Sequence, residues 1–141
     1  MQDLDNNFIN NNNSFVYIPR SEIFVQTKAS FLRNKKYTAY QKTLYQILHS
    51  YGIDYRGVYP SHQRLAEELA VSRRMIIKVL NQLEEFGGVY IINRVFEGTK
   101  NKSSNLYYLS EIDKSGDFDK ESLDIVKIRY PNKTVEIKKS Y

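Results

Sequence analysis

The stretch Gly57–Gly88, GVYPSHQRLAEELAVSRRMIIKVLNQLEEFGG, decides the fold that this sequence predicts. Apolar residues recur in it at helical spacing on both sides of a tight break at residues 70–72. Ser61 and Ser72 stand before the two helical patterns, where a serine hydroxyl can accept a hydrogen bond from a first-turn N–H. A glycine pair ends the second pattern. The stretch therefore predicts two short helices joined by a turn.

The second of these helices, predicted from Arg73 to about Phe86, has an apolar side and a polar side. The apolar side consists of Ile76, Val79, Leu80 and Leu83. At 100° per residue, the opposite side consists of Arg74, Lys78, Asn81 and Glu85, with Arg73 and Ile77 on its flank. This polar side is basic and amide-bearing in its first two turns and acidic only in its last. A helix that inserts its N-terminal half into a DNA groove needs this arrangement.

A further helix is predicted upstream and a β-hairpin downstream. Thr38-Ala-Tyr-Gln41 matches a capping box, and the apolar residues that follow at helical spacing are Tyr40, Leu44, Ile47, Leu48 and Tyr51. Downstream, Val89–Phe96 and Asn105–Leu109 are β-branched and aromatic, which favours two strands. The polar loop between them carries Lys100 and Lys102. This order predicts an α+β fold, a winged helix-turn-helix with a three-helix core and a β-hairpin wing.

Four segments are predicted along the chain. Residues 1–14 are Asn-rich and are expected to form a flexible tail. Residues 15–110 are expected to form the winged helix-turn-helix domain, with a short N-terminal extension that includes a strand or an extended segment at Phe15–Ile18. Residues 111–122 are charged and are interpreted as a linker. Residues 123–141 alternate around a Pro-Asn-Lys turn, which predicts a C-terminal β-hairpin extension.

The composition excludes several classes of protein. No apolar run approaches the ~18 residues that a membrane span requires, so we expect no membrane partner. The polar, acidic start resembles neither a secretory signal nor a transit peptide, and the absence of cysteine excludes disulfides, so we expect a cytoplasmic protein. His49 and His62 have no acidic cluster at ligand spacing, and no catalytic motif is present. We therefore expect no metal, no cofactor and no enzymatic activity.

The net charge of +5 is unevenly distributed along the chain. Residues 20–60 contribute +5 and residues 88–110 contribute +2, whereas residues 61–87, which contain the two helices, contribute zero. A modest basic excess is compatible with an anionic partner but is weak support on its own. Non-specific attraction to DNA would therefore come from the basic segment before the first helix and from the wing.

We expect double-stranded DNA as the partner, with the helix after Ser72 in a major groove. The candidate DNA-binding residues at that helix are Ser72, Arg73, Arg74, Ile77, Lys78 and Asn81. The candidates elsewhere are Gln63, Arg64, Lys100, Lys102, Lys35 and Lys36. Arginine can donate two hydrogen bonds to guanine, and asparagine has the donor and acceptor that match adenine. For each of these residues, an ordinary solvated surface position is the alternative.

Several short motifs in the sequence occur together in one known class of protein. They are Gly57-Val-Tyr-Pro-Ser61, Leu65-Ala-Glu-Glu-Leu69, Val71-Ser-Arg-Arg74 and Leu83-Glu-Glu-Phe-Gly87, with Tyr17-Ile-Pro-Arg-Ser-Glu-Ile-Phe24 upstream. The segment from Thr38 to Leu109 thereby resembles the winged helix-turn-helix modules of phage and plasmid replication proteins from Gram-positive-type bacteria. The resemblance implies a replication initiation or accessory factor of a plasmid, phage or mobile element, with other replication proteins as partners.

Two other functions stay open. Transcription regulators use the same module, so a small repressor is one alternative. Winged helices also bind other proteins, and Met75, Ile77 and the many tyrosines would then form the contact surface. A homodimer through the first helix, the N-terminal segment or the C-terminal hairpin is compatible with each of these functions.

Overall fold

The computed structural model describes residues 25–52 and 57–138. The predicted tail at residues 1–14, the predicted strand at Phe15–Ile18 and the upstream motif at residues 17–24 lie outside the described residues. Within the described part of the chain, no helix has the length and apolar character that crossing a bilayer would require.

Four helices precede the sheet. They are α1 (Ala29–Leu32), α2 (Ala39–Ser50), α3 (His62–Leu69) and α4 (Arg73–Glu85). The last three are the predicted helices, and each begins at its predicted cap. Thr38 forms a reciprocal capping box with Gln41. The hydroxyls of Ser61 and Ser72 each accept a hydrogen bond from the backbone N–H three residues further on.

The turn between α3 and α4 is tight because Ala70 adopts a left-handed backbone conformation, with φ 59° and ψ 46°. The N–H of Val71 still bonds the carbonyl of Ala66 at 3.0 Å, and Ser72 then caps the next helix. The two helices pack against each other and against α2. The predicted pair is therefore a helix-turn-helix unit.

The helices bury most of the apolar residues that their spacing predicts. In α4 the buried residues are Ile76, Val79, Leu80 and Leu83, as expected. In α2, however, Tyr40 is 48% exposed, so its assignment to the core is wrong, and Gln41 is buried in its place. Gln41 tolerates burial because its amide is bonded at both ends, to the Thr38 N–H and to the Gln82 side chain, each at 3.0 Å.

The predicted hairpin follows α4. β1 (Val89–Phe96) and β2 (Leu106–Leu109) are antiparallel, and the segment before α3 joins them through a bridge between Val58 and Tyr107. One face of the sheet packs on the helices, through residues such as Val89 and Tyr107. The opposite face carries a second apolar cluster that includes Tyr90, Ile92, Leu106 and Tyr108.

Residues 111–122 are structured, which corrects their interpretation as a linker. β3 (Glu111–Ile112) and β4 (Phe118–Asp119) pair in a short antiparallel hairpin. Phe118 is 5% exposed and inserts among aromatic rings of the helical core. Its ring centroid lies 4.6–5.3 Å from those of Tyr37, Tyr45 and Phe31. Ile112 also packs against this core, and the Asn34 amide donates to Gly116 and Asp117. The charged composition of the segment hides this anchoring because few of its side chains are apolar.

The predicted C-terminal β-hairpin is wrong. A 3₁₀ turn at Lys120–Leu123 continues into α5 (Asp124–Arg129), and only β5 (Thr134–Ile137) is a strand. β5 pairs in parallel with the outer half of β1, which gives the sheet order β2-β1-β5. A helix forms before it because the residues that reach the second apolar cluster recur at helical intervals. They are Leu123, Val126 and Tyr130.

Candidate nucleic-acid interface

α4 presents its predicted polar side to solvent. The exposed residues are Arg73, Arg74, Lys78, Asn81 and Glu85, and Ile77 on the flank is 41% exposed. The N-terminal half of this surface therefore carries the three cations of the helix, which suits the negative potential of a DNA groove. The Ser72 hydroxyl accepts a hydrogen bond from the Met75 N–H at 3.1 Å, which leaves its own hydrogen available to a phosphate oxygen.

A protein-contact surface on α4 would require Met75 to be exposed, and Met75 is not exposed. It is half-buried and packs against the helical core. Ile77 is thus the one large apolar side chain of α4 that is exposed. A single isoleucine offers little area for a protein partner, and scattered apolar residues are normal on a protein surface.

Two cations from different elements lie near His62 at the start of α4. His62 opens α3, Arg73 opens α4, and Lys102 lies in the loop of the β1–β2 hairpin. The pKa of His62 is lowered by burial and, to a smaller extent, by the positive charges of Arg73 and Lys102. Both cations therefore lie close enough to His62 to act on it through space. Arg73 of the predicted helix site and Lys102 of the predicted wing site therefore both lie in the neighbourhood of His62.

The loop between β1 and β2 is hydrogen-bonded to the sheet along part of its length. The Ser103 N–H bonds the carbonyl of Arg94 at 2.9 Å, and Lys102 forms an isolated bridge with Val95. Lys100 and Lys102 are both exposed on this loop. Their backbone positions are thus restricted in advance, which lowers the entropy that an ordered contact would cost.

Arg94 and Tyr59 extend this surface, and the sequence did not single them out. The Arg94 guanidinium lies 4.5 Å from the centroid of the Tyr59 ring, and its Nη1 donates to the carbonyl of Ser104 at 3.4 Å. Tyr59 is 61% exposed. One feature of the sequence could have indicated a role for Arg94. Arg94 is the one charged residue of the strand at residues 89–96, and it lies next to a basic hairpin loop.

Gln63 and Arg64 of α3 already contact acidic residues of their own helix. The Gln63 amide donates to Glu67 at 3.0 Å, and the Arg64 Nε lies 3.4 Å from Glu68. Contacts between such exposed side chains contribute little to stability. Both side chains can therefore exchange these partners for phosphate oxygens at small cost.

The basic cluster before α2 lies at the other end of α4. The Tyr37 ring contacts that of Phe86, the residue that caps the C-terminus of α4, with centroids 5.1 Å apart. The 13-residue helix is roughly 20 Å long at 1.5 Å per residue, so Lys35 and Lys36 are remote from its start. Lys36 also pairs with Asp117 at 3.5 Å. The structure does not bring these two lysines to the cations of the helix start.

Residues 38–87 match a family model described as a helix-turn-helix domain. The match begins at the cap of α2 and ends at the glycine after α4, so it covers three helices and the turn. Searches of curated proteins and of solved structures gave no significant match. The chain therefore contains a helix-turn-helix domain within a mixed fold of helices and strands, and this class of domain points to DNA binding.

Proposed function

We propose that this protein binds double-stranded DNA sequence-specifically through a winged helix-turn-helix, and that it acts in replication initiation of a plasmid, phage or other mobile element. The observation that carries the DNA-binding part is the surface of α4. Arg74 and Lys78 are exposed on one side of a helix whose opposite side is buried in the core. The match of residues 38–87 to a helix-turn-helix family model supports the same conclusion. The proposed activity is binding alone, with no catalytic step.

In this proposal α4 lies in the major groove with its N-terminal half against the base edges. Arg73 and Arg74 stand at the positive end of the helix dipole, where phosphate is favoured. A guanidinium there can also donate two hydrogen bonds to O6 and N7 of one guanine. Lys78, one turn further along, reaches phosphate or guanine, and Ile77 contacts a thymine methyl group.

The hairpin serves as the wing and holds the DNA backbone. Lys102 supplies a cation near the start of α4, and Lys100 and Arg94 supply further cations on the same hairpin. Because cations that neutralise phosphates release counterions, these residues provide sequence-independent affinity. Gln63 and Arg64 add contacts to flanking phosphates once they leave their acidic partners. Lys35 and Lys36 would reach the backbone only at the far end of α4.

The role in replication rests on the motif resemblance within residues 57–87, because a helix-turn-helix alone serves regulators equally well. A nuclease footprint on the DNA of the element that encodes the protein tests it. Repeated protected sites at an origin support initiation and contact with other replication proteins. A single palindrome over a promoter supports a repressor instead, and such a palindrome would require two copies of the chain.

Arg74→Ala tests the reading helix. We expect it to weaken binding to the specific site by roughly 1–3 kcal/mol and to relax the preference at one base position. Fluorescence anisotropy with the footprinted duplex and its single-base variants measures both effects. Arg129→Ala, an exposed arginine of α5, is the matched control and should change neither. Wild-type affinity and an unchanged footprint in Arg74→Ala would remove α4 from the readout.

A further inference from the structure

An open cleft of about 440 Å³ lies between α4, β1 and the turn that precedes β5. Four of the seven polar residues that line it are asparagines. They are Asn81, Asn93, Asn105 and Asn132. We call this feature the amide cleft. Its asparagines come from four separate parts of the chain, so no local sequence pattern reveals it.

The one carboxylate in the lining of the amide cleft is already occupied. Glu84 accepts a hydrogen bond from the Lys133 ammonium at 2.5 Å and another from the Ile91 N–H at 2.9 Å. Its negative charge is therefore balanced within the protein. The Asn93 amide donates to the carbonyl of Lys133 at 3.3 Å and is therefore also engaged. Asn81 and Asn132 are the exposed asparagines of the cleft, and His62 lies at its edge. The N–H groups of these two amides can donate hydrogen bonds to an anionic group.

The amide cleft adjoins the proposed DNA-binding surface. Ile77 and Asn81 of α4 belong to both, and His62 connects the cleft to Arg73 and Lys102, whose charges act on it. A duplex that lies along the exposed side of α4 must therefore pass the mouth of the cleft. When a helix sits in a groove of the duplex, the phosphodiester backbones border that groove on both sides. Phosphate and sugar oxygens also receive half or more of the hydrogen bonds in protein–DNA complexes.

We propose that the amide cleft binds the phosphodiester backbone of one strand of the target duplex, with the amides of Asn81 and Asn132 as hydrogen-bond donors. This inference rests on the proposed DNA-binding function. It gives the α5–β5 segment a direct part in that function, because the pairing of β5 with β1 holds Asn132 at the cleft. It also assigns Asn81 to a phosphate rather than to an adenine.

Neutral donors leave a distinct signature in the salt dependence of binding. A lysine that contacts a phosphate releases counterions, so removal of the lysine flattens the plot of log affinity against log salt concentration. An amide that contacts a phosphate adds a hydrogen bond to a charged acceptor without releasing a counterion. Loss of the amide therefore lowers affinity and leaves the slope unchanged.

The test compares Asn81→Ala, Asn132→Ala and the double variant in duplex binding across a salt series. We expect each single variant to lose about tenfold in affinity, for the specific duplex and for a scrambled duplex alike, with the wild-type salt slope. The comparator, Lys100→Ala with Lys102→Ala, should flatten the slope by about one unit per lysine. Gln46→Ala, an amide of α2 outside the cleft, is the control and should bind as wild type.

Asn132→Asp separates a contact from a structural role, because aspartate has nearly the same shape but repels phosphate. We expect it to bind more weakly than Asn132→Ala while melting at the wild-type temperature. Wild-type affinity in the double variant, with Arg74→Ala still impaired, overturns the cleft and leaves the DNA-binding function standing. A loss confined to the specific duplex means base readout and also overturns it. If wild-type protein binds no duplex even at low salt, the proposed function itself fails.

Discussion

Ala70 forms the bend of the helix-turn-helix in a conformation that its own side chain disfavours. Its φ of 59° is left-handed, and there the Cβ atom crowds the following carbonyl oxygen. This conformation costs an L-residue roughly 1–2 kcal/mol. Ala70 is exposed, so its methyl group gains little from packing in return. The turn between the two helices thus holds local strain that the surrounding helices maintain.

Ala70→Gly should raise the free energy of unfolding by about 0.5–1 kcal/mol, because the relief of the left-handed strain exceeds the added conformational entropy of glycine in the unfolded chain. Urea denaturation measures the change. Ala39→Gly provides the contrast, since residue 39 begins α2 with an ordinary helical backbone, and it should lower the stability. Equal shifts in the two variants would contradict the strain assigned to Ala70.

Individual caps were predictable from the sequence because their chemistry is local. Thr38, Ser61 and Ser72 bond backbone groups only three residues away, so residue type and position suffice. The burial of Gln41 and the exposure of Tyr40 were not predictable from the sequence. The Gln41 amide is satisfied in part by Gln82 of another helix, and spacing along α2 contains no information about that partner.

At the scale of elements, α5 and β5 depend on contacts with distant parts of the chain. Leu123 is 2% exposed and packs in the second apolar cluster with Tyr90 and Ile92. The opposite side of α5 is solvated, with Ile125 and Ile128 exposed by 70% and 78%. The segment is thus fixed by the few side chains that reach the sheet.

Leu123→Ala should lower the free energy of unfolding by about 2–5 kcal/mol, because it leaves a cavity where the 3₁₀ turn before α5 packs on the sheet. Ile128→Ala removes a similar side chain from the solvated side and should change stability by no more than about 0.5 kcal/mol. Chemical denaturation of both variants measures the difference. A small effect of Leu123→Ala would mean that α5 is only loosely attached to the sheet.

The three helices and the hairpin were predictable because they are made from neighbours in sequence. Apolar spacing, caps and glycines mark the bounds of α2, α3 and α4 within the chain itself. Residues 123–130 alternate and also repeat at helical intervals, so their pattern fits a strand and a helix equally. The choice depends on the outer face of the sheet, which β1 and β2 provide. No local sequence pattern indicates that β5 pairs in parallel with β1.

Some features of the candidate site were predictable from the sequence, and others were not. The exposed cations of α4 follow from its 100° periodicity, and the structure places them as expected. The contact of Arg94 with Tyr59 and the amide cleft each join segments that are far apart in the sequence. Their residue types were visible, but their proximity was not.

At the scale of the whole molecule, the two histidines make stability depend on pH. Burial lowers the pKa of His49, and burial with the charges of Arg73 and Lys102 lowers that of His62. The folded protein therefore binds fewer protons than the unfolded chain just below pH 6.5, the ordinary histidine value. Their contribution to stability is fully present above that pH and is lost as the pH falls towards the folded-state pKa values.

We therefore expect the free energy of unfolding to fall between pH 7.5 and pH 5.5, and the fall to be smaller in a His49→Gln, His62→Gln double variant, which lacks both titrating groups. Urea titrations at the two pH values measure it. The lowered pKa values of Asp113 and Asp117 act only below their ordinary range near pH 4, so they do not contribute in this window. An equal fall in the double variant would assign the effect to other groups.

The parallel pairing of β1 with β5 also orders the assembly of the protein in time. The helix-turn-helix consists of contacts between near neighbours, whereas Asn93 and Lys133 are 40 residues apart when their segments meet. Local contacts close first because they require less chain entropy. β5 begins 49 residues after α4 ends. At about 5–20 residues per second on the ribosome, α4 therefore emerges roughly 2.5–10 seconds before β5. During synthesis, α4 is therefore complete before the amide cleft, which also requires the turn that precedes β5.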